Sequence, residues 1–210
     1  MVKPSPKRRP AWPFWVRLVL TVCALGIFLL GYYWGNQYRY GEGPPAISGI
    51  WLSPPQPLPN FTLDLATGGT FGQQDLRDHW TLLAFAPIES ARGQLAANRL
   101  MAVAAHLGNQ PRLQEQLQLL LLAAHQDLGT AWDFRRLSPK LHLLFGEGVA
   151  PLAEALGASP EAPDQAGFYL IAPDGKGLAF FPPGLSPAAI AADLLMLSDW
   201  PLELLVSPHG

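Results

Sequence analysis

Trp80-Thr-Leu-Leu-Ala-Phe85, followed by Ala86-Pro87-Ile88-Glu89-Ser90 and a helical run from Ala91, decides how this chain folds. Six mostly apolar residues, bounded by polar Asp78-His79 and by Pro87, predict a strand buried on both faces, as the centre of a parallel sheet requires. In open α/β sheets the crevice beyond the strand C-termini collects ligands. The first turn of the next helix adds unpaired N–H groups and the positive end of a dipole. Function is therefore sought first between Ile88 and Gln94, where Glu89, Ser90, Arg92 and Gln94 stand without a cysteine or histidine.

Outward from this strand, the rest of the chain alternates in type. Phe61-Thr-Leu-Asp-Leu65 alternates apolar with polar residues and leads into a Thr67-Gly68-Gly69 turn, which predicts a hairpin. Gln73 to Asp78 reads as a short helical turn. Ala91 to Leu107 places Leu95, Leu100, Val103 and Leu107 at helical spacing, with Gly108 to end the helix. Leu117 to Ala124 and Leu141 to Phe145 are two further apolar runs, and Ala131 to Leu137 between them fits a short helix. Val149 to Leu156 reads as a helix ending at Gly157. Phe168 to Ala172 and Leu178 to Phe181 flank a glycine-containing turn, and Ser186-Pro187 opens a last helix running to about Leu197. This order, ββαβαβαββα, predicts a mixed α/β sheet with helices on both faces.

The front of the chain differs. Trp15 to Trp34 is twenty positions with Arg17 as the only charge; at about 1.5 Å of rise per residue it reaches roughly 30 Å, the thickness of a bilayer core. Trp12, Trp15, Tyr32, Tyr33 and Trp34 bracket it as an aromatic belt would, and Arg17 sits where its stem can snorkel. Lys3, Lys7, Arg8 and Arg9 precede the span and no acidic residue occurs before Glu42, which predicts a cytoplasmic N-terminus and an extracytoplasmic, periplasm-type location for everything beyond. A cleaved signal peptide is the competing reading. The length of the apolar run and the poor cleavage site at Tyr33-Trp34-Gly35-Asn36 favour a single-pass anchor in the inner membrane. Gly41 to Pro59 carries six prolines and three glycines and reads as a semi-extended tether, with Ile47, Ile50, Trp51 and Leu52 as an apolar patch that docks on the domain. The expected organisation is residues 1–14 as a basic cytoplasmic end, 15–34 as the anchor, 35–57 as the tether and 58–210 as the outer domain.

Charge and cysteine usage narrow the function. The net charge of −2 hides six basic and no acidic residues up to Arg39, against eight basic and sixteen acidic beyond it. No basic nucleic-acid footprint is present in the outer domain. The single cysteine, Cys23, lies in the anchor, which removes dithiol oxidoreductase chemistry and thiolate metal binding from the outer domain. The five histidines form no HExxH or other ligand spacing, and no GxSxG elbow, Walker or dinucleotide pattern is present. No cofactor is expected. Of the histidines, His125, after the second apolar run, is the one expected to face the crevice.

Three pieces in order carry a resemblance: a proline-rich lead into Leu58-Pro-Asn-Phe61-Thr-Leu-Asp-Leu65, Asp75-Leu-Arg-Asp-His-Trp80 feeding the buried strand, and Tyr169-Leu-Ile-Ala-Pro-Asp-Gly175 late in the chain. Over roughly Leu58 to Leu197 the chain resembles a thioredoxin-like domain and, within that fold, the membrane-anchored SCO/SenC proteins that assist copper-centre assembly of cytochrome c oxidase. The resemblance implies two cysteines four apart after the central strand and a distant histidine, a soft donor set for copper(I). Laid on that pattern, this chain has Ser90, Gln94 and Asp164. All three are oxygen donors, so the resemblance implies the fold and a neighbourhood while the residues deny the copper activity. The expected function is that of a non-catalytic pseudoenzyme, a membrane-anchored accessory protein that binds a protein partner, with respiratory oxidase or its assembly factors as the candidate that the resemblance implies. The alternative is an enzyme or a hard-cation or anion binder using the oxygen-donor crevice around Ser90 and Asp164, with Glu89, Arg92 and His125 as contacts. The plain structural alternative for Ser90 and Glu89 is a helix cap and a dipole partner.

Overall fold

The computed structural model describes residues 14–37, 45–87, 89–123, 140–158 and 167–206. The chain divides into two units, Met1–Gly43 and Pro44–Gly210.

In the first unit, Phe14–Gln37 forms one helix of 24 residues, α1, and its apolar side chains, such as Leu25, Ile27 and Phe28, are exposed. Among the described residues no helix is long and apolar enough to cross a membrane.

The second unit is an eight-stranded mixed sheet in the order β1-β8-β7-β4-β5-β6-β2-β3. Its strands are β1 (Ile50–Pro57), β2 (Thr62–Leu65), β3 (Thr70–Gly72), β4 (Trp80–Phe85), β5 (Leu117–Ala123), β6 (Leu141–Phe145), β7 (Phe168–Ile171) and β8 (Lys176–Phe181). β4 runs parallel to β5, and β5 to β6. β7 lies antiparallel on the other side of β4. The expected central strand is therefore central, with one parallel and one antiparallel neighbour. The Gly68-Gly69 turn has φ of 89° and 95°, the left-handed region that glycine enters without a Cβ penalty, and it closes the expected β2–β3 hairpin.

Strand alternation builds two cores. Trp80, Leu82, Ala84, Leu119, Leu121, Phe168 and Leu170 face one side, against α2 (Ala91–His106), α5 (Pro187–Ser198) and Leu205 of α6 (Leu202–Val206). Leu83, Leu120, Leu122, Tyr169 and Ile171 face the other, against Leu58, Phe61, Phe71 and α4 (Val149–Ala155). Both faces of β4 and β5 are thus buried, which is why these strands read as continuous apolar runs. The remaining elements are a 3-10 turn at Gln73–Leu76 and α3 (Pro111–Gln116), which starts with Pro111 in its first turn. Ser186 caps α5 by accepting the Ala189 N–H at 3.2 Å.

Four details differ from the sequence reading. The expected tether contains a strand: Ile50–Pro57 is β1, paired antiparallel with β8. Proline cannot donate to a ladder, yet an edge strand leaves half its N–H groups unpaired, so a proline-rich stretch is tolerated there and blunts the edge against further pairing. The register slips between Trp51 and Gln56, where Pro54 and Pro55 stand. Ile47, Trp51 and Leu52 do pack on the two cores, while Ile50 remains exposed. Leu95 is 58% exposed; five residues from Leu100 is about 140° around a helix, and the buried stripe is Gly93, Ala96, Ala97, Leu100 and Val103 instead. Two short helices, α3 and α6, were not expected. The helix expected over Ala131 to Leu137 lies outside the described residues.

Candidate functional site

The strand ladder of β4 continues one step past Phe85, where the Ala86 N–H meets the Leu122 carbonyl at 2.9 Å. Pro87 then ends it, because it has no N–H to offer. The chain turns on itself: the Ser90 N–H donates to the Pro87 carbonyl at 3.1 Å, and the Ser90 hydroxyl donates to the same carbonyl at 2.6 Å. Ser90 has extended backbone angles (φ −81°, ψ 150°) and is the N-cap of α2. Its Oγ accepts the Gly93 N–H at 2.9 Å, and its carbonyl accepts the Gln94 N–H at 3.0 Å. The structure thus places Ser90 in the capping role that serine performs at helix starts.

This geometry limits the chemistry. The Ser90 hydroxyl has one proton, given to Pro87, and a lone pair engaged by Gly93. Among the described histidines none stands beside it: His106 closes α2, about 24 Å along the axis at 1.5 Å per residue, His79 precedes β4, about 17–20 Å back along the strand, and His142 lies at the start of β6. Glu89, Arg92 and Gln94 are exposed on the first turn of α2 or just before it. The structure therefore brings Glu89, Ser90, Arg92 and Gln94 together at the C-terminal end of β4 as a surface, while Asp164 and His125 lie outside the described residues. Among the described residues no group of three or more histidine, cysteine, aspartate or glutamate side chains could hold a metal ion. Copper(I) does not fit the described donors: Ser90 and Gln94 offer hard oxygen, and the one free cysteine, Cys23, belongs to α1 in the other unit.

At the opposite end of the sheet the structure shows a feature that the sequence reading missed. A crevice of about 610 Å³ opens at the N-terminal ends of β5 and β6, between the β2–β3 hairpin, the 3-10 turn and α3. Gln118 and His142 line it. They are the polar second residues of two otherwise apolar strands, Leu117–Ala123 and Leu141–Phe145, and that shared interruption was the available signal. The His142 ring lies 6.4 Å from the Phe71 ring, centroid to centroid, and burial pushes its pKa below the ordinary histidine value.

No protein-family model matches the sequence, and no curated protein matches it either. Solved structures do match. A copper-bound ScoI of Arabidopsis thaliana superposes with a TM-score of 0.57 at 14% identity, over 68% of this chain and 99% of that one. Copper-bound yeast Sco1 gives 0.56 at 14% identity, over 70% and 96%. BsSco, described as a member of the Sco family of cytochrome c oxidase assembly proteins with a disulfide switch, gives 0.53 at 15% identity, over 73% and 100%. Each of these chains is matched almost end to end within this one. The mixed sheet with flanking helices, centred on Trp80–Phe85, is thus the thioredoxin-like fold found in the Sco proteins.

Proposed function

We propose that the chain is a membrane-anchored accessory protein whose thioredoxin-like domain works by binding a protein partner rather than by thiol or copper chemistry, and that its setting is the assembly of cytochrome c oxidase. The observation that carries the first part is Ser90. At the position where the resembled proteins place a cysteine, the side chain is engaged on both sides by its own backbone, to Pro87 and from Gly93. What remains for contact is an exposed set of charge and amide on one helical turn, Glu89, Arg92 and Gln94, a surface suited to orienting a partner. The setting is supported by the fold shared with BsSco and its family of oxidase assembly proteins.

The anchor is α1. Its 24 helical residues extend about 36 Å, enough for a bilayer, and the basic residues Lys3, Lys7, Arg8 and Arg9 ahead of it hold that end in the cytoplasm. The domain is then extracytoplasmic, and a reporter fused after Gly210 is active only outside.

Affinity capture of the full chain from its native membranes, followed by mass spectrometry, tests the function. Oxidase subunits or their assembly factors should co-purify, and Arg92→Glu should release them while the domain stays folded. Recovery of the chain with stoichiometric copper, or with no oxidase component, contradicts the proposal.

A further inference from the structure

We propose that the crevice at the N-terminal end of β5 and β6 is a binding site for a small zwitterion carrying an ammonium and a carboxylate, an amino acid or short peptide. The site lies at the far end of the sheet from Ser90 and is independent of the partner-binding reading.

The crevice is lined by carboxylates, Asp75 and Glu115, by the cations Arg77 and Lys140, and by the amide of Gln118. The Gln118 side chain donates its Nε2 to the Asp75 backbone carbonyl at 3.0 Å. Only an N–H can face a carbonyl, so the amide orientation is fixed and Oε1 is the atom left over. That oxygen is buried and has no hydrogen-bond partner among the described residues. Buried polar atoms are normally satisfied, and an exception calls for a donor from elsewhere. His79, whose Nδ1 donates to the Arg77 carbonyl at 2.8 Å, lines the same crevice. The Glu115 carboxylate lines the same crevice and adds negative charge.

Two cations share the crevice with these acceptors: Lys140, whose Nζ donates to the Gln114 carbonyl at 2.7 Å, and Arg77. Arg77 is exposed, and no ion pair or side-chain hydrogen bond of its guanidinium is present among the described residues. A guanidinium fork matches a carboxylate bidentately. An α-ammonium brings three N–H donors to the acceptor side while its carboxylate reaches Arg77. The Phe71 and His142 rings, tilted by 32° to one another, both line the crevice and offer contact to the carbon skeleton. The volume of about 610 Å³ falls within the range of small-molecule sites, roughly 300–1,000 Å³.

Calorimetric titration of the full chain in detergent with four probes tests the site: L-alanine, the tripeptide Ala-Ala-Ala, propylamine and propionate. At least one zwitterion should bind tenfold or more tightly than propylamine and propionate. The two zwitterions separate a free amino acid from a peptide as the source. Arg77→Ala should remove the advantage over propylamine. Gln118→Leu and Glu115→Ala should each weaken the zwitterion and propylamine by tenfold or more. Because Arg77 and Glu115 are exposed, their variants keep the fold even if Gln118→Leu disturbs it, and urea unfolding of each variant checks this. No heat from either zwitterion, half-probes binding as well as whole ones, or zwitterion affinity unmoved by both Arg77→Ala and Glu115→Ala overturns the proposal.

Discussion

Asp193, in α5, is 4% exposed, one of two polar or charged residues buried among the described ones, and its carboxylate receives Ser48. The Ser48 N–H reaches Oδ2 at 2.8 Å and the Ser48 hydroxyl reaches Oδ1 at 3.3 Å, so 145 residues are closed into one loop just ahead of β1. Hydrogen bonds to a charged group contribute about 1.5–3 kcal/mol, and the shorter of the two carries most of it. Asp193→Ala should therefore cost about 2–3 kcal/mol. Asp193→Asn keeps an acceptor without the charge and should cost about 1 kcal/mol. Ser48→Pro removes the N–H donor and should resemble Asp193→Ala, and the double variant should cost no more than either alone. A larger consequence concerns where the domain begins. A chain starting at Leu58 loses Ser48, leaves Asp193 buried without its donors, and forfeits the half-burial of Ile47, Trp51 and Leu52, about 1 kcal/mol each at half the value for full burial. The total, about 5 kcal/mol, equals the lower end of whole-domain stability. Urea unfolding followed by circular dichroism should show a cooperative transition for residues 44–210 and none, or a far lower midpoint, for 58–210. Equal midpoints for the two fragments, or an unchanged midpoint in Asp193→Ala, refute this reasoning.

Three further outcomes are expected. Ser90→Ala removes the α2 cap and should lower stability by about 1 kcal/mol, while Ser90→Asp, which still accepts the Gly93 N–H, should retain most of it; equal loss in both variants argues against a capping role. Residues 44–210 titrated with copper(I) against a competing chelator should show no site of thiolate strength, and Ser90→Cys, Gln94→Cys and Asp164→His together should create one; an intact fold without new binding means that these three positions do not meet. Burial holds the folded pKa of His142 below 6.5, so the unfolded chain takes up this proton first. The resulting stability is full above about pH 6.5 and is lost as pH falls through the folded value. Relative to His142→Gln the parent should lose stability between pH 7 and 5, and parallel pH profiles contradict this.

The middle of this fold was legible because burial leaves a direct mark on sequence. Trp80–Phe85 and Leu117–Ala123 are covered on both faces, so nothing polar needs to alternate along them, and Pro87 and Ser90 announce the strand end and helix start by chemistry local to each residue. Edges were harder to read. In Ile50–Pro57 the prolines argue against a ladder, and only the neighbouring β8 supplies the pairing that makes an edge strand of it, a partner about 125 residues further on that no local pattern signals. Leu95 and Leu100 are both apolar and both in one helix, and their 140° separation, not their hydropathy, sends one to solvent.

The candidate sites divide along the same line. Ser90 was read either as a degenerate ligand position or as a cap, and the short bonds to Pro87 and Gly93 favour the cap, because a hydroxyl that satisfies its own turn has little left for a ligand. Gln118 and His142 carry the opposite lesson. Each is one polar residue in an apolar strand, a pattern that usually signals a strand end near solvent, and only the parallel register of β5 and β6 sets them at the mouth of one crevice. In strands as apolar as β4 and β5, where Thr81 and Gln118 are the polar exceptions, a polar side chain at the strand start is usually met by water, a neighbouring backbone or a ligand. At Gln118 the backbone of Asp75 meets the nitrogen and nothing in the described chain meets the oxygen, which is why the oxygen at that end, rather than the hydroxyl at Ser90, is where binding by a small molecule should be sought.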